Sequence, residues 1–278
     1  MKVAVVGAGT MGSGIAQAFA AAGNEVFLTD ISLDFAQGGL AKIQKKLEKS
    51  VSKGKIDAAT KDAILGRIKA VEKKDIGSVD LVEEAAIEDM KAKQDLFRSL
   101  EPIVGKDTIF ATNTSSLSIT EIDKGLDRPV VGMHFFNPAD VMALVEVIAG
   151  VNTPATIVDK IIEIAKSIGK TPVRVAEAPG FVVNRILIPM INEAIGIYAE
   201  HIASAEDIDT AMKLGANHPM GPLSLGDLIG LDVVLAIMDV LYHETGDSKY
   251  RAHILLRKMV RGGLLGRKTG RGFFEYNK

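Results

Sequence analysis

His134 is the side chain of this sequence best suited to move a proton near neutral pH. It closes an apolar run, Val130 to Phe135, and a rigid Asn137-Pro138 turn follows directly. Twelve residues after it, Glu146 falls inside a second apolar run, Ala143-Leu144-Val145-Glu146-Val147-Ile148. A carboxylate among such neighbours is costly unless it is paired. A histidine is the natural mate, because the carboxylate fixes the ring's tautomer and stabilises the imidazolium. The pattern predicts a His134–Glu146 dyad that takes a proton from a hydroxyl or returns it. The plainer alternatives are a structural histidine and an edge-strand glutamate facing water. Ser115 sits in the polar run Thr112-Asn113-Thr114-Ser115-Ser116, where it would orient a substrate oxygen rather than attack one. Its structural alternative is capping the helix that starts near Ile119, a task that Ser116 or Ser118 could also take.

A second constellation opens the chain. The apolar run Val3 to Val6 leads into Gly7-Ala8-Gly9-Thr10-Met11-Gly12, a small-residue helical pattern follows, and a further apolar run ends at Asp30. This is a strand, a glycine turn, a helix and a strand with an acid at its tip. Gly7 makes the tight turn, Gly9 lets backbone approach a pyrophosphate, and Gly12 lets the helix pack closely on the sheet. The helix N-terminus offers N–H groups to phosphate. Asp30, 21 residues after Gly9, stands where an acid accepts from the adenosine ribose hydroxyls. The unit predicts a dinucleotide site. A carboxylate at position 30 repels a 2′-phosphate and neither Ile31 nor Ser32 could hold one, so NAD is favoured over NADP. Beside such a site, the dyad's chemistry becomes proton transfer coupled to hydride transfer at one carbon.

Lys42, Lys46, Lys49 and Lys53 share one helical face. That face is either simply solvated or an arm for an anionic substrate. Net charge is −2, so nothing global points to nucleic acid or a membrane surface. The absence of cysteine removes disulfides, thiolate metal sites and cysteine nucleophiles, and no metal site is expected. The chain enters a strand at once, with no room for a leader, which predicts a cytoplasmic protein.

Apolar runs alternate with helical patterns through the first two-thirds, predicting an α/β fold with a mostly parallel sheet. Residues 34–53 and 57–68 read as two helices inserted between strands. After Pro179-Gly180 the pattern turns wholly helical, near 181–199, 205–215, 224–242 and 249–262. The expected division is 1–179, with a helical insertion at about 34–70, and an all-α domain over 180–278. Residues 181–198 are apolar nearly all round, yet too interrupted to span a membrane. A small domain has little core to cover such a helix, so a subunit interface is expected.

The sequence resembles the 3-hydroxyacyl-CoA dehydrogenases, the short single-function bacterial kind most of all. The motifs GAGTMGSGIAQ, EAAIEDMKAK, NTSSLSIT, GMHFFNPADVMALVE, PGFVVNRILIP, DIDTAMKLGANHPMGPLSL and GRKTGRGFF carry the likeness over nearly the whole chain. The resemblance implies a Rossmann-type domain followed by a helical domain that dimerises, giving a homodimer or a larger assembly of dimers, and closes over substrate. It implies NAD-linked, reversible oxidation of a short (S)-3-hydroxyacyl-CoA to its 3-oxoacyl-CoA. His134 would be the acid/base, Glu146 its orienting partner, and Ser115 and Asn184 would hold the 3-oxygen and the thioester side. Asp30, Glu88, Lys93, Asn113, Ser115, Asn137 and Lys268 would meet the cofactor with the glycine turn, and Lys49 and Lys53 the CoA moiety. Many members read NPAPVMKLVE where this chain has Asp140 and Ala143, which brings an extra negative charge beside the histidine. The rival readings are a gulonate-type sugar-acid dehydrogenase of the same superfamily, with no use for a lysine arm, and a dinucleotide-binding protein without turnover.

Overall fold

The structure is a computed structural model that describes residues 1–276. The chain forms two units, Met1–Glu177 and Ala178–Lys278. The first runs β1 (Lys2–Val6), α1 (Thr10–Ala21), β2 (Glu25–Thr29), α2 (Leu33–Ser52), α3 (Ala58–Leu65), β3 (Ile68–Ala70), β4 (Leu81–Glu84), α4 (Met90–Leu100), β5 (Ile109–Thr112), α5 (Ile119–Ile122), β6 (Val130–Phe135), β7 (Leu144–Ala149), α6 (Ala155–Ser167) and β8 (Thr171–Ala176). The strands make one sheet in the order β3-β2-β1-β4-β5-β6-β7-β8. Every pair is parallel except β6–β7. Parallel neighbours need a crossover, whereas the short link from β6 to β7 suits an antiparallel return. From β3 to β6 the order is that of a doubly wound dinucleotide-binding sheet, which reverses beside β1.

The expected helical insertion is corrected by β3. The second helix stops at Leu65, and Ile68–Ala70 pairs with Val26–Leu28, so α2 and α3 form a crossover within the sheet. Three residues with only Ile68 buried carry no period that a sequence reading could detect.

The two faces of the sheet have different work. Val5, Ala111, Met133 and Val147 lie on the face covered by α1 and α6, in a core with Ile15, Phe19, Val158 and Ile161. Glu84, Thr112, His134 and Glu146 fall on the other face by register. Glu83 pairs with Val5 and Ala111 and so projects into the apolar layer. It is fully buried, and neither carboxyl oxygen has a hydrogen-bond partner among the described residues. Burial, reinforced by the neighbouring Glu84 charge, pushes its pKa well above the ordinary 4.5. Below that ordinary value both folded and unfolded chains carry the proton. Above it only the unfolded chain releases it, so stability falls as pH rises toward the raised folded value. Glu83→Val, of similar volume and suited to a strand, is expected to stabilise the protein by about 1–3 kcal/mol at neutral pH. Melting temperatures measured from pH 5 to 8 check this, since the gain should grow with pH.

The second unit contains α7 (Val183–Ala199), α8 (Ala205–Gly215), α9 (Pro222–Ile229), α10 (Leu231–Thr245) and α11 (Ile254–Arg261). The helix expected over 224–242 is two helices, because Gly230 adopts φ +103°, a conformation that breaks the run and favours glycine. The expectation that this unit lacks a core for α7 is also corrected. Ile188, Ile191 and Ile195 pack with Leu223, Val234, Met238 and Leu256 of the same unit. Ile186, on the same helix, stays 68% exposed.

Candidate active site

The glycine turn joins β1 to α1, and its three glycines meet different surroundings. Gly7 has φ +107°, and a Cβ there would strike the Ala85 carbonyl. A Cβ at Gly12 would land on the Gly7 carbonyl, so α1 could not sit this close to the turn. At Gly9 a Cβ would meet nothing within 4 Å among the described residues. Gly9 is also the N-cap of α1, whose first turn receives no side-chain cap and contains no acid. The open space and the uncapped N–H groups of Thr10, Met11 and Gly12 fit a pyrophosphate. Ala8 offers its backbone N–H to Asp30 Oδ2 at 2.6 Å, and Ile31 does so to Oδ1 at 2.7 Å. The carboxylate is thereby fixed at the tip of β2 with lone pairs left for ribose hydroxyls. A cavity of about 480 Å³ lies beside it, lined by Gly7, Asp30, Ile31, Ser32, Lys73 and Lys74 among others. The two lysines are cations that the sequence reading did not place there. Lys73 donates to Ser99 Oγ at 2.9 Å, and Lys74 is paired with Glu72 at 2.7 Å.

His134 and Glu146 sit directly opposite each other in the β6–β7 ladder. His134 Nδ1 lies 2.8 Å from Glu146 Oε2, with the residues 5% and 1% exposed. The edge-strand alternative for Glu146 is excluded, because its strand is paired on both sides. Asn113, beyond the end of β5, accepts the Phe135 N–H at 2.8 Å and ties the two strand ends together. Asn137 lies exposed in the following turn, where the Asn137-Pro138 bond is cis.

Between these groups runs a buried polar network. Lys93 of α4 donates to both oxygens of Glu84, at 2.7 and 2.9 Å, and the Thr112 hydroxyl donates to Glu84 Oε2 at 2.6 Å. Lys93 also lies 3.3 Å from Glu88 Oε2. Its side chain is 1% exposed, with the ammonium enclosed among these acids. Glu88 Oε1 accepts from the Thr114 hydroxyl at 2.7 Å and from the Ser115 N–H at 2.9 Å. Burial raises the pKa of Glu88, but Lys93 and these hydrogen bonds outweigh it and hold the carboxyl below its ordinary value. Ser118 takes the N-cap of α5, accepting from Glu121 N–H at 3.1 Å, so that task does not fall to Ser115. Glu84 was missed in the sequence; an acid inside a buried strand, the argument applied to Glu146, was its available signal.

Lys49 on α2 and Lys53 at its C-cap are exposed, away from the buried side of Ile43 and Leu47. Asn184 stands in the first turn of α7, and Lys268 is ion-paired with Asp232; both belong to the helical unit.

Strand order, glycine turn and acid together define the first unit as a dinucleotide-binding domain of the Rossmann type. Residues 2–178 match the family model of the 3-hydroxyacyl-CoA dehydrogenase NAD binding domain, and residues 180–276 match that of the C-terminal domain. The chain is 59% identical to a 3-hydroxybutyryl-CoA dehydrogenase of Clostridioides difficile, over 100% of both. It is 41% identical to the mitochondrial hydroxyacyl-coenzyme A dehydrogenase of Homo sapiens, over 99% of this chain and 90% of that one. The crystal structure of (S)-3-hydroxybutyryl-CoA dehydrogenase PaaH1 from Ralstonia eutropha superposes with a TM-score of 0.95 at 49% identity, covering 100% of this chain and 99% of that one. The chain belongs to the 3-hydroxyacyl-CoA dehydrogenase family, and it is an oxidoreductase that uses NAD.

Proposed function

We propose that the protein interconverts (S)-3-hydroxybutyryl-CoA and acetoacetyl-CoA, with His134 as acid/base and Glu146 as its orienting partner. The observation that carries this reading is the 2.8 Å contact between Nδ1 and the buried Glu146 carboxylate. A carboxylate at Nδ1 favours the tautomer with the proton on that nitrogen, which leaves Nε2 as the base. In oxidation, Nε2 takes the proton of the 3-hydroxyl, and Glu146 stabilises the imidazolium that results. NAD supplies, when bound, the acceptor for the hydride that leaves C3. In reduction, the imidazolium returns its proton to the 3-oxygen. Ser115 holds that oxygen, Asn184 the thioester side, and Lys49 and Lys53 the phosphates of CoA. A lysine arm has no use in a sugar-acid dehydrogenase, which favours the thioester.

Asp30 sets the preference for NADH over NADPH in this reading, through repulsion of a 2′-phosphate. The test is acetoacetyl-CoA reduction followed at the nicotinamide absorbance band with each cofactor. A clearly higher kcat/KM with NADH is expected. Asp30→Asn should raise KM for NADH about tenfold, on the scale of losing a charged hydrogen bond, and narrow the difference between cofactors. No turnover of acetoacetyl-CoA with either cofactor would refute the reading. Exposed apolar side chains of the helical unit, Ile186, Ile202, Leu214 and Ile254 among them, support a homodimer, for which a solution mass near twice 29.6 kDa is the check.

A further inference from the structure

The loop that joins His134 to Glu146 is fastened at three places. From α1, Gly14 lies so close to Ala139 that an added Cβ would sit 3.2 Å from the alanine methyl. From the residue before β8, the buried Lys170 donates to the carbonyls of Ala139 and Met142, at 2.7 and 2.8 Å. From α2, Lys46 Nζ reaches Asp140 Oδ1 at 2.5 Å, and Gln17 of α1 donates to the other Asp140 oxygen at 3.3 Å. The Asp140 side chain is only 10% exposed. A cleft of about 180 Å³ runs alongside, lined by Ser13, Gln17, Lys42, Lys46, Asn137 and Asp140 among others. The first two fastenings bind the loop to the sheet domain's own body. Among the described hydrogen bonds and ion pairs, the Lys46–Asp140 contact is the one that ties the loop to the helix that carries the lysine face.

We propose that Asp140 is a positioning residue for the acyl-CoA: through Lys46 it holds α2 against the loop between His134 and Glu146, and so sets the reach from Lys49 and Lys53 to the dyad. This rests on the proposed role of Lys49 and Lys53 in holding CoA phosphates. Lys46 and Lys49 stand three residues apart on one face of α2 and Lys53 is its C-cap, so the anchor at Lys46 bears on the end of the helix from which the other two project. The pairing also reverses the simplest expectation for a negative charge near an anionic substrate. If Asp140 acted only through its charge, removing it would tighten binding. As an anchor, its removal loosens binding.

The experiment compares acetoacetyl-CoA with acetoacetyl-pantetheine, which lacks the nucleotide end and its phosphates. For wild type, KM should be distinctly lower with the CoA thioester. Asp140→Asn should raise KM for acetoacetyl-CoA about three- to fivefold, the scale of a partly exposed ion pair. It should leave KM for acetoacetyl-pantetheine and for NADH unchanged, and kcat within about twofold. Lys46→Met should give the same loss, the double variant no more than either alone, and Asp140→Glu should recover part of it. Unchanged NADH binding shows that the variants are folded. An unchanged or lowered KM for acetoacetyl-CoA in Asp140→Asn overturns the proposal while leaving the lysine arm intact. A wild type that treats both thioesters alike overturns the arm and the anchor together.

Discussion

Substituting His134 by glutamine is expected to lower kcat by about 10²–10⁴, the range lost with general acid–base help. Glutamine keeps hydrogen-bonding capacity at the end of β6 but cannot carry the proton. Glu146→Gln should fall in the same range for a different reason. The imidazole would keep a neighbour at 2.8 Å yet lose both its preferred tautomer and the charge that stabilises the imidazolium. Because the pair acts as a unit, the double variant should be barely slower than the worse single one. Steady-state rates with acetoacetyl-CoA and NADH measure all three. KM for NADH should change little, since neither residue lines the cavity beside Asp30. Near-normal turnover by His134→Gln would rule out the proposed chemistry.

The second large effect concerns stability. Lys93→Met leaves Glu84, 0% exposed at its side chain, without its cation, while Glu88 loses the charge that helps keep it ionised. Stranding one partner of a buried pair costs about 3–5 kcal/mol. For a domain of this size that is a fall in melting temperature of roughly 6–20 °C. Differential scanning calorimetry of the two proteins measures it. The double substitution Glu84→Leu with Lys93→Met should recover much of the loss, because an apolar pair needs no counter-charge. If Lys93→Met melts with wild type, the pair contributes nothing to holding the fold.

The elements around the site were largely legible from the sequence, since long apolar runs and helical periods announce themselves. The His134–Glu146 contact was legible too, because a lone acid in an apolar strand demands a partner. The same logic stood ready for Glu83 and Glu84 but pulls two ways there. Adjacent strand residues face opposite layers, so one acid found Lys93 and the other found only the core. No spacing rule distinguishes those outcomes; it takes the register of β4 against β1 and β5. Lys93 shows the reverse difficulty. The resemblance implies a cofactor contact there, and only the fold reveals that its side chain is enclosed. The break at Gly230 and the strand at Ile68 were hidden for lack of length, not for lack of physics.

The single antiparallel step in the sheet has a consequence for what can vary. Histidine and glutamate face each other because backbone hydrogen bonds between β6 and β7 align them, not because the segment between them has a particular length or composition. A change of charge at an exposed position of the loop, residues 136–143, can therefore leave the proton carrier facing its partner. One residue inserted within either strand has the opposite result: it turns His134 or Glu146 toward the other layer and parts the two.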